Sequence, residues 1–387
     1  MTSTILYLHT TSEIGGSDVS LVRLVEGLDR DRYSTIVALP SDGPLVPRLR
    51  AAGARVEIMP VLMKLTSRRG PGFFATFMLN YPRAIDALVR LIRREHVSIV
   101  HTNTIHNLYG VTAARVARVP HVWHFREIVW QWGLLRRVEL AMARWWSDRI
   151  IVTSSAIAGM YGPERMWPVQ LVRVPNGVET DRFMPGDGSR IRAELNVAPG
   201  QSLVGIVCRL DAWKGVDDFL AAAAAVAVAD RDAVFAVIGG PIIGQESYED
   251  ALKVKARELG LGGRVRFTGW QYGPDQMPDV HRALDVLVLA SREPEPFGLV
   301  LLEAMATAKP VVATAHGGPL DIVEDGRTGD LVPPRDPSAM ARAIVALLAD
   351  PARRARMGAH GRERVLAHYT ARQYVDGVDA VYRELVA

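Results

Sequence analysis

Short, continuous runs of apolar, largely β-branched residues alternate with helical stretches along the whole 387-residue chain, and this alternation restricts the fold more than any single motif does. In the first half the runs fall at residues 5–9, 35–39, 55–59, 98–101, 121–125 and 149–153, with helical patterns between them at 19–28, 84–94 and 134–146. Strands that are apolar on both faces and separated by helices predict a parallel sheet covered on both sides. A stretch rich in Gly, Pro and Asp, residues 176–189, breaks the pattern and reads as a linker. Strand-like runs then resume at 203–207, 234–238, 265–268, 286–289 and 311–313. The expectation is an α/β protein of two Rossmann-like domains facing a central cleft, spanning residues 1–178 and 179–368. Ligands of such sheets bind beyond the carboxyl ends of the strands, so the loops there are where chemistry is sought.

Composition narrows the setting. The single cysteine, Cys208, excludes an internal disulfide and a Cys-rich zinc site. The longest uncharged apolar run, 219–229, is shorter than the roughly 17–25 residues needed to span a bilayer, and the N-terminus lacks the pattern of a signal peptide. A cytoplasmic protein is expected, with peripheral contact at the inner face of the membrane left open. A net charge of +4 favours phosphates in general, but the basic residues are spread along the chain, which argues against nucleic acid.

The strongest local signal lies at residues 290–305. A buried strand runs into a loop carrying Glu293, Glu295 and two prolines, and Gly298 opens a helix at 299–308. Free N–H groups at a helix start form a phosphate site, and glycine permits close approach of a ligand. Glu295 and Glu303 stand eight positions apart, suited to gripping two parts of one extended ligand. Glu303 sits among Val300, Leu301, Leu302, Ala304 and Met305, where an acid needs a partner. After the strand at 203–207, Arg209 and Lys214 are two cations five residues apart that can converge on a diphosphate. Gly15 and Gly16 form a turn after the first strand, and His124, Arg126 and Glu127 stand at the end of another. Arg126 and Glu127 read equally well as an ion pair. Trp270 follows a further strand and fits either a ligand contact or the core.

The run from Glu295 to Glu303, Glu-Pro-Phe-Gly-Leu-Val-Leu-Leu-Glu, resembles the E-x7-E signature of retaining GT-B glycosyltransferases of glycosyltransferase family 4. The stretch 208–215 is similar to that family's G-R-L-x-x-x-K-G, with Cys208 in place of the first glycine. The resemblance covers about residues 4–385 and is most specific over 203–335. It implies that Glu295 binds hydroxyls of a donor sugar and Glu303 the nucleotide ribose. By the same resemblance, Phe297, Gly298 and the amides near Leu299 and Val300 meet the pyrophosphate. Gly15 and Gly16 would then close over the donor phosphates or the acceptor, His124 would touch the donor sugar, and backbone near Trp270 would read the base. A final helix, 369–387, is expected to pack back on the first domain. The implied activity is retaining, metal-independent transfer of a hexosyl unit from a nucleotide-sugar to a glycan or lipid-linked acceptor. A UDP-sugar is favoured and GDP-mannose stays open. No metal or other cofactor is expected, since Arg209 and Lys214 can replace a divalent ion and no D-x-D-type cluster falls at the cleft loops. Two alternatives stand beside it: an epimerase or phosphorylase of the same fold, and a non-catalytic nucleotide-sugar-binding protein. Two stretches mixing cations with aromatics, 64–79 and 130–146, fit either an anionic membrane surface or the core of the first domain.

Overall fold

The computed structural model describes residues 2–63, 71–129, 133–242 and 244–386. The chain divides into two compact units, Met1–Gly177 together with Ala371–Ala387, and Val178–Thr370. The first unit carries strands β1 (Ser3–Leu8), β2 (Tyr33–Leu39), β3 (Arg55–Ile58), β4 (Val97–Thr102), β5 (His121–Phe125), β6 (Arg149–Val152) and β7 (Leu171–Arg173). They form one parallel sheet in the order β3-β2-β1-β4-β5-β6-β7. The second unit carries β8 (Leu203–Val207), β9 (Val234–Ile238), β10 (Val265–Phe267), β11 (Val286–Leu289), β12 (Val311–Thr314) and β13 (Gly329–Val332). Its parallel sheet runs β10-β9-β8-β11-β12-β13. Each order reverses once, between β1 and β4 and between β8 and β11. Such switch points leave a crevice outside the carboxyl ends of the strands.

Burial on both faces explains the lack of alternation in the strands. In β1, Ile5 and Tyr7 pack under the helices Gly16–Gly27 and Ala371–Val386, while Leu6 and Leu8 face the helix Pro71–Arg94. In the second unit, Val204 and Ile206 of β8 meet the helix Val216–Ala229, and Leu203 faces the opposite layer with Leu301 and Leu302. The helix Ala371–Val386 belongs to the first unit through Tyr374, Val378 and Tyr382; Tyr382 Oη lies 3.0 Å from Tyr7 Oη and 2.6 Å from His101 Nδ1.

One expectation changes and another is decided in part. The helix predicted to start at residue 84 runs from Pro71 and continues through Pro82; an internal proline ordinarily marks a boundary, which is why the pattern looked shorter. Phe77 is buried in the first unit's core and Phe73 packs against it, so these two aromatics are structural. Residues 64–70 and 130–132 of the two cation-aromatic stretches lie outside the described residues, whereas Trp145 and Trp146 are exposed. Among the described residues no helix is long and apolar enough to cross a membrane.

Candidate active site

In the second unit the loops leaving β8 and β11, the two strands at the switch point, pack on each other. Gly215 adopts φ +69°, and a Cβ there would lie 2.0 Å from the Ala290 carbonyl oxygen. Only glycine lets the first loop rest against the end of β11. Arg292 reinforces the contact: its backbone N–H donates to Trp213 O at 2.7 Å, and its guanidinium reaches the Asp218 carboxylate at 2.7 and 2.6 Å.

This packing brings Lys214 to Glu295. The Lys214 ammonium donates to Oε1 at 3.0 Å and Oε2 at 2.8 Å, Ser291 Oγ donates to Oε2 at 2.7 Å, and Glu295 is only 7% exposed. Ser291 is held in turn, because its carbonyl accepts from Thr314 Oγ1 at 3.0 Å and from His316 Nε2 at 2.7 Å. The two cations therefore differ. Lys214 is engaged with Glu295, while the Arg209 side chain is about half exposed, 3.9 Å from Asp211. Cys208, which replaces the glycine of the motif, is half-buried, and desolvation pushes its thiol up to about 12.

The loop 295–298 is backed by a glycine pair. Gly318 N–H donates to Glu295 O at 2.7 Å, Gly317 has φ +74° with Glu295 backbone where a Cβ would stand, and a Cβ on Gly318 would lie 2.4 Å from Phe297 Cα. The Phe297 ring is buried in the core beside Tyr369, so Phe297 anchors the loop and can offer a ligand its backbone alone. Gly298, at φ +101°, then starts the helix Leu299–Ala306, with Leu299 and Val300 half-buried in its first turn. Glu303 has the partner its apolar surroundings demanded, the wholly buried His281, whose Nε2 lies 3.2 Å from Oε2. Trp270 is not a core residue. The residue is 61% exposed, and its ring lies over Gly240 and donates from Nε1 to Pro241 O at 3.1 Å.

In the first unit, Gly15 and Gly16 open the helix Gly16–Gly27, and Gly15 N–H donates to Asp18 Oδ2 at 2.7 Å. Asp18 Oδ1 also takes Thr11 Oγ1 at 2.9 Å and lies 2.5 Å from His9 Nε2. Arg126 is 7% exposed and bonds Asn103 Oδ1 at 2.8 Å, Asn176 Oδ1 at 2.7 Å, Tyr374 Oη at 2.5 Å and His124 Nδ1 at 3.4 Å. The reading of Arg126 and Glu127 as an ion pair is replaced by this set, while Glu127 accepts from Ile105 N–H at 3.3 Å. His124 is fully buried, and burial first, then the charge of Arg126, holds its ring well below the usual imidazole range. Its Nε2 has no protein partner. Sequence reasoning missed His9, Asp18, Asn103 and His281, whose partners are mostly remote in the chain.

Comparison with known proteins identifies the family and the fold. The family model for glycosyl transferases group 1 matches residues 187–364, and that for Glycosyltransferase Family 4 matches 14–182. A GDP-mannose-dependent alpha-(1-6)-phosphatidylinositol monomannoside mannosyltransferase of Mycolicibacterium smegmatis is 31% identical over 312 residues, 76% of this chain and 78% of that protein. A D-inositol 3-phosphate glycosyltransferase of Nocardia farcinica is 35% identical over 243 residues, 58% of this chain, and the match spans about half of that relative (53%). Among solved structures, Anabaena Alr3699/HepE in complex with UDP aligns with a TM-score of 0.84 at 25% identity, covering 99% of this chain and 100% of that one. Sucrose-phosphate synthase from Thermosynechococcus elongatus shares the fold, with a TM-score of 0.82 at 24% identity and 99% of both chains covered. The two family models together with the mannosyltransferase relative show that the chain belongs to the family 4 glycosyltransferases and has the GT-B architecture.

Proposed function

We propose that the protein transfers a hexosyl unit from a nucleotide-sugar to a hydroxyl of a glycan or lipid-linked acceptor, with retention at the anomeric carbon and without a metal ion. The observation that carries this reading is the buried Lys214–Glu295–Ser291 cluster at the switch point of the second sheet. Glu295, with its oxygens oriented by Lys214 and Ser291, accepts from sugar hydroxyls. Lys214, Arg209 and the helix start at Leu299 meet the diphosphate, where leaving-group charge develops, and preoriented donors there lower the barrier. Glu303, steadied by His281, accepts from the ribose. No side-chain nucleophile is needed if the departing phosphate oxygen takes the acceptor's proton as the hydroxyl attacks on the same face.

A UDP-sugar is the first donor candidate. GDP-mannose is the second, favoured by the mannosyltransferase relative, while the Anabaena structure holds UDP. Calorimetry with UDP, GDP and their sugars tests the assignment. Glu303→Gln is expected to weaken the bare nucleoside diphosphate about tenfold, the order of one charged hydrogen bond. Glu295→Gln should leave the bare diphosphate alone and lose the added affinity and turnover due to the sugar. The opposite pattern would mean the two roles are exchanged. Release of nucleoside diphosphate only when acceptor is present separates this reading from an epimerase and from a binding protein without turnover.

Turnover is also expected to persist in excess chelator, because on this reading Lys214 and Arg209 take over the charge stabilisation a divalent ion would otherwise supply. Loss of rate with chelator, restored by magnesium or manganese, would refute that arrangement.

A further inference from the structure

Arg126 is buried, and among the described residues no carboxylate pairs with it; its partners are Asn103, Asn176, Tyr374 and His124. A guanidinium has five N–H donors and no acceptor, so every polar atom it meets has to accept. That single fact fixes the direction of the hydrogen bonds beyond it. Asn103 must turn Oδ1 to Arg126, which leaves its NH2 group facing His9 Nδ1 at 3.1 Å. His9 Nδ1 then accepts, so the proton of the neutral ring sits on Nε2 and is donated to Asp18 Oδ1 at 2.5 Å. With Oδ1 occupied by His9 and Thr11, Asp18 turns Oδ2 to the Gly15 N–H. On the other side, Arg126 Nη2 faces His124 Nδ1, so the proton of that ring also sits on Nε2, the atom without a protein partner.

We propose that Arg126 is a positioning residue whose donor-only guanidinium fixes the tautomers of His9 and His124, and through Asp18 the orientation of the glycine turn at Gly15. The residues involved stand at the carboxyl ends of β1, β4 and β5, around the switch point of the first sheet. Asp18, His9, Asn103, Arg126 and His124 thus form one oriented row drawn from sequence positions 9 to 126. His124 presents a single N–H donor, fit to hold a hydroxyl or carbonyl oxygen and not to supply a proton. The tautomers stand independently of the proposed sugar transfer, whereas their consequence for turnover rests on it.

Two-bond proton–nitrogen NMR spectra of the nitrogen-labelled protein at neutral pH read the tautomers directly, without substrate. Both His9 and His124 are expected in the Nε2–H form. Asn103→Asp nearly preserves size and still accepts from Arg126, but offers His9 no donor. In that variant a proton should appear on His9 Nδ1 while His124 keeps its form, and turnover should fall roughly 10–100-fold, the order expected when catalytic groups are slightly displaced. A wild-type His9 or His124 protonated at Nδ1, or a variant whose His9 signals do not move, overturns the proposal. So does a shifted tautomer at unchanged turnover. Should the variant fail to fold, the wild-type spectra alone decide the tautomers. A wild type with the expected tautomers and no transfer activity would instead count against the proposed function.

Discussion

Lys214→Ala is expected to lower stability and turnover together, whereas Arg209→Ala should lower turnover alone. Both cations lie on the loop that follows β8. The structure separates them. Lys214 is about 20% exposed and neutralises a Glu295 carboxylate whose side chain is 9% exposed. Removing one partner of a buried ion pair leaves the other charge uncompensated, a loss of about 3–5 kcal/mol in dry sites. Ser291 and residual solvent access reduce this to about 2–3 kcal/mol, or a fall in melting temperature of roughly 5–10 °C for a unit of this size. Arg209, about half exposed, should leave the melt unchanged. Each variant should raise the barrier to transfer by roughly 2–4 kcal/mol, the scale of one preorganised charge contact. Thermal melts and single-turnover rates check both halves. A Lys214→Ala protein that melts like the wild type would show that the pair contributes nothing to the fold, and full turnover in both variants would remove the cations from the site.

The second large effect is at Gly215. Alanine there meets two obstacles: φ +69°, and the Ala290 carbonyl oxygen 2.0 Å from the new Cβ. Left-handed backbone costs a non-glycine residue about 1 kcal/mol, and relieving the overlap means moving the loop away from β11. About 3 kcal/mol or more of lost stability is expected, with turnover nearly abolished because Lys214 moves with the loop. Gly200→Ala is the control. Gly200 shares the left-handed backbone at φ +87° but has nothing within 4 Å of its Cβ position, so only the backbone cost of about 1 kcal/mol applies. Equal destabilisation by the two substitutions would mean that contact with Ala290 is not what demands glycine.

Non-alternating apolar strands made both parallel sheets legible in advance, since that pattern arises where helices cover both faces. The strands that escaped were β7 and β13, the outer strands of the two sheets. They are three and four residues long, partly exposed, and carry Arg173 and Asp330, so their apolar signal is weak. The motifs marked Lys214, Glu295 and Glu303 individually as candidates. Their pairings were not legible. Lys214 meets Glu295 across 81 positions, Glu303 meets His281 across 22, and Arg126 meets Asn176 across 50. Strand order creates these contacts, and hydrophobic period carries no record of strand order. The same gap explains Arg126. The adjacent acid, Glu127, was one of two readings of its partner from sequence, yet the residue after β4 and the final helix supply Asn103 and Tyr374 instead.

The first unit is discontinuous, and this has a consequence for how the protein is made. Its last helix, Ala371–Val386, follows the whole of the second unit in the chain. A ribosome therefore finishes every residue of the second unit before it has made the helix that covers Tyr7 and Ile99 on the first sheet. Throughout that interval the part of the first sheet's face that this helix covers stays open to water, and a chain interrupted before Ala371 would keep it so. Domains ordinarily fold in the order of synthesis. Here the unit that begins first has to be the one that closes last.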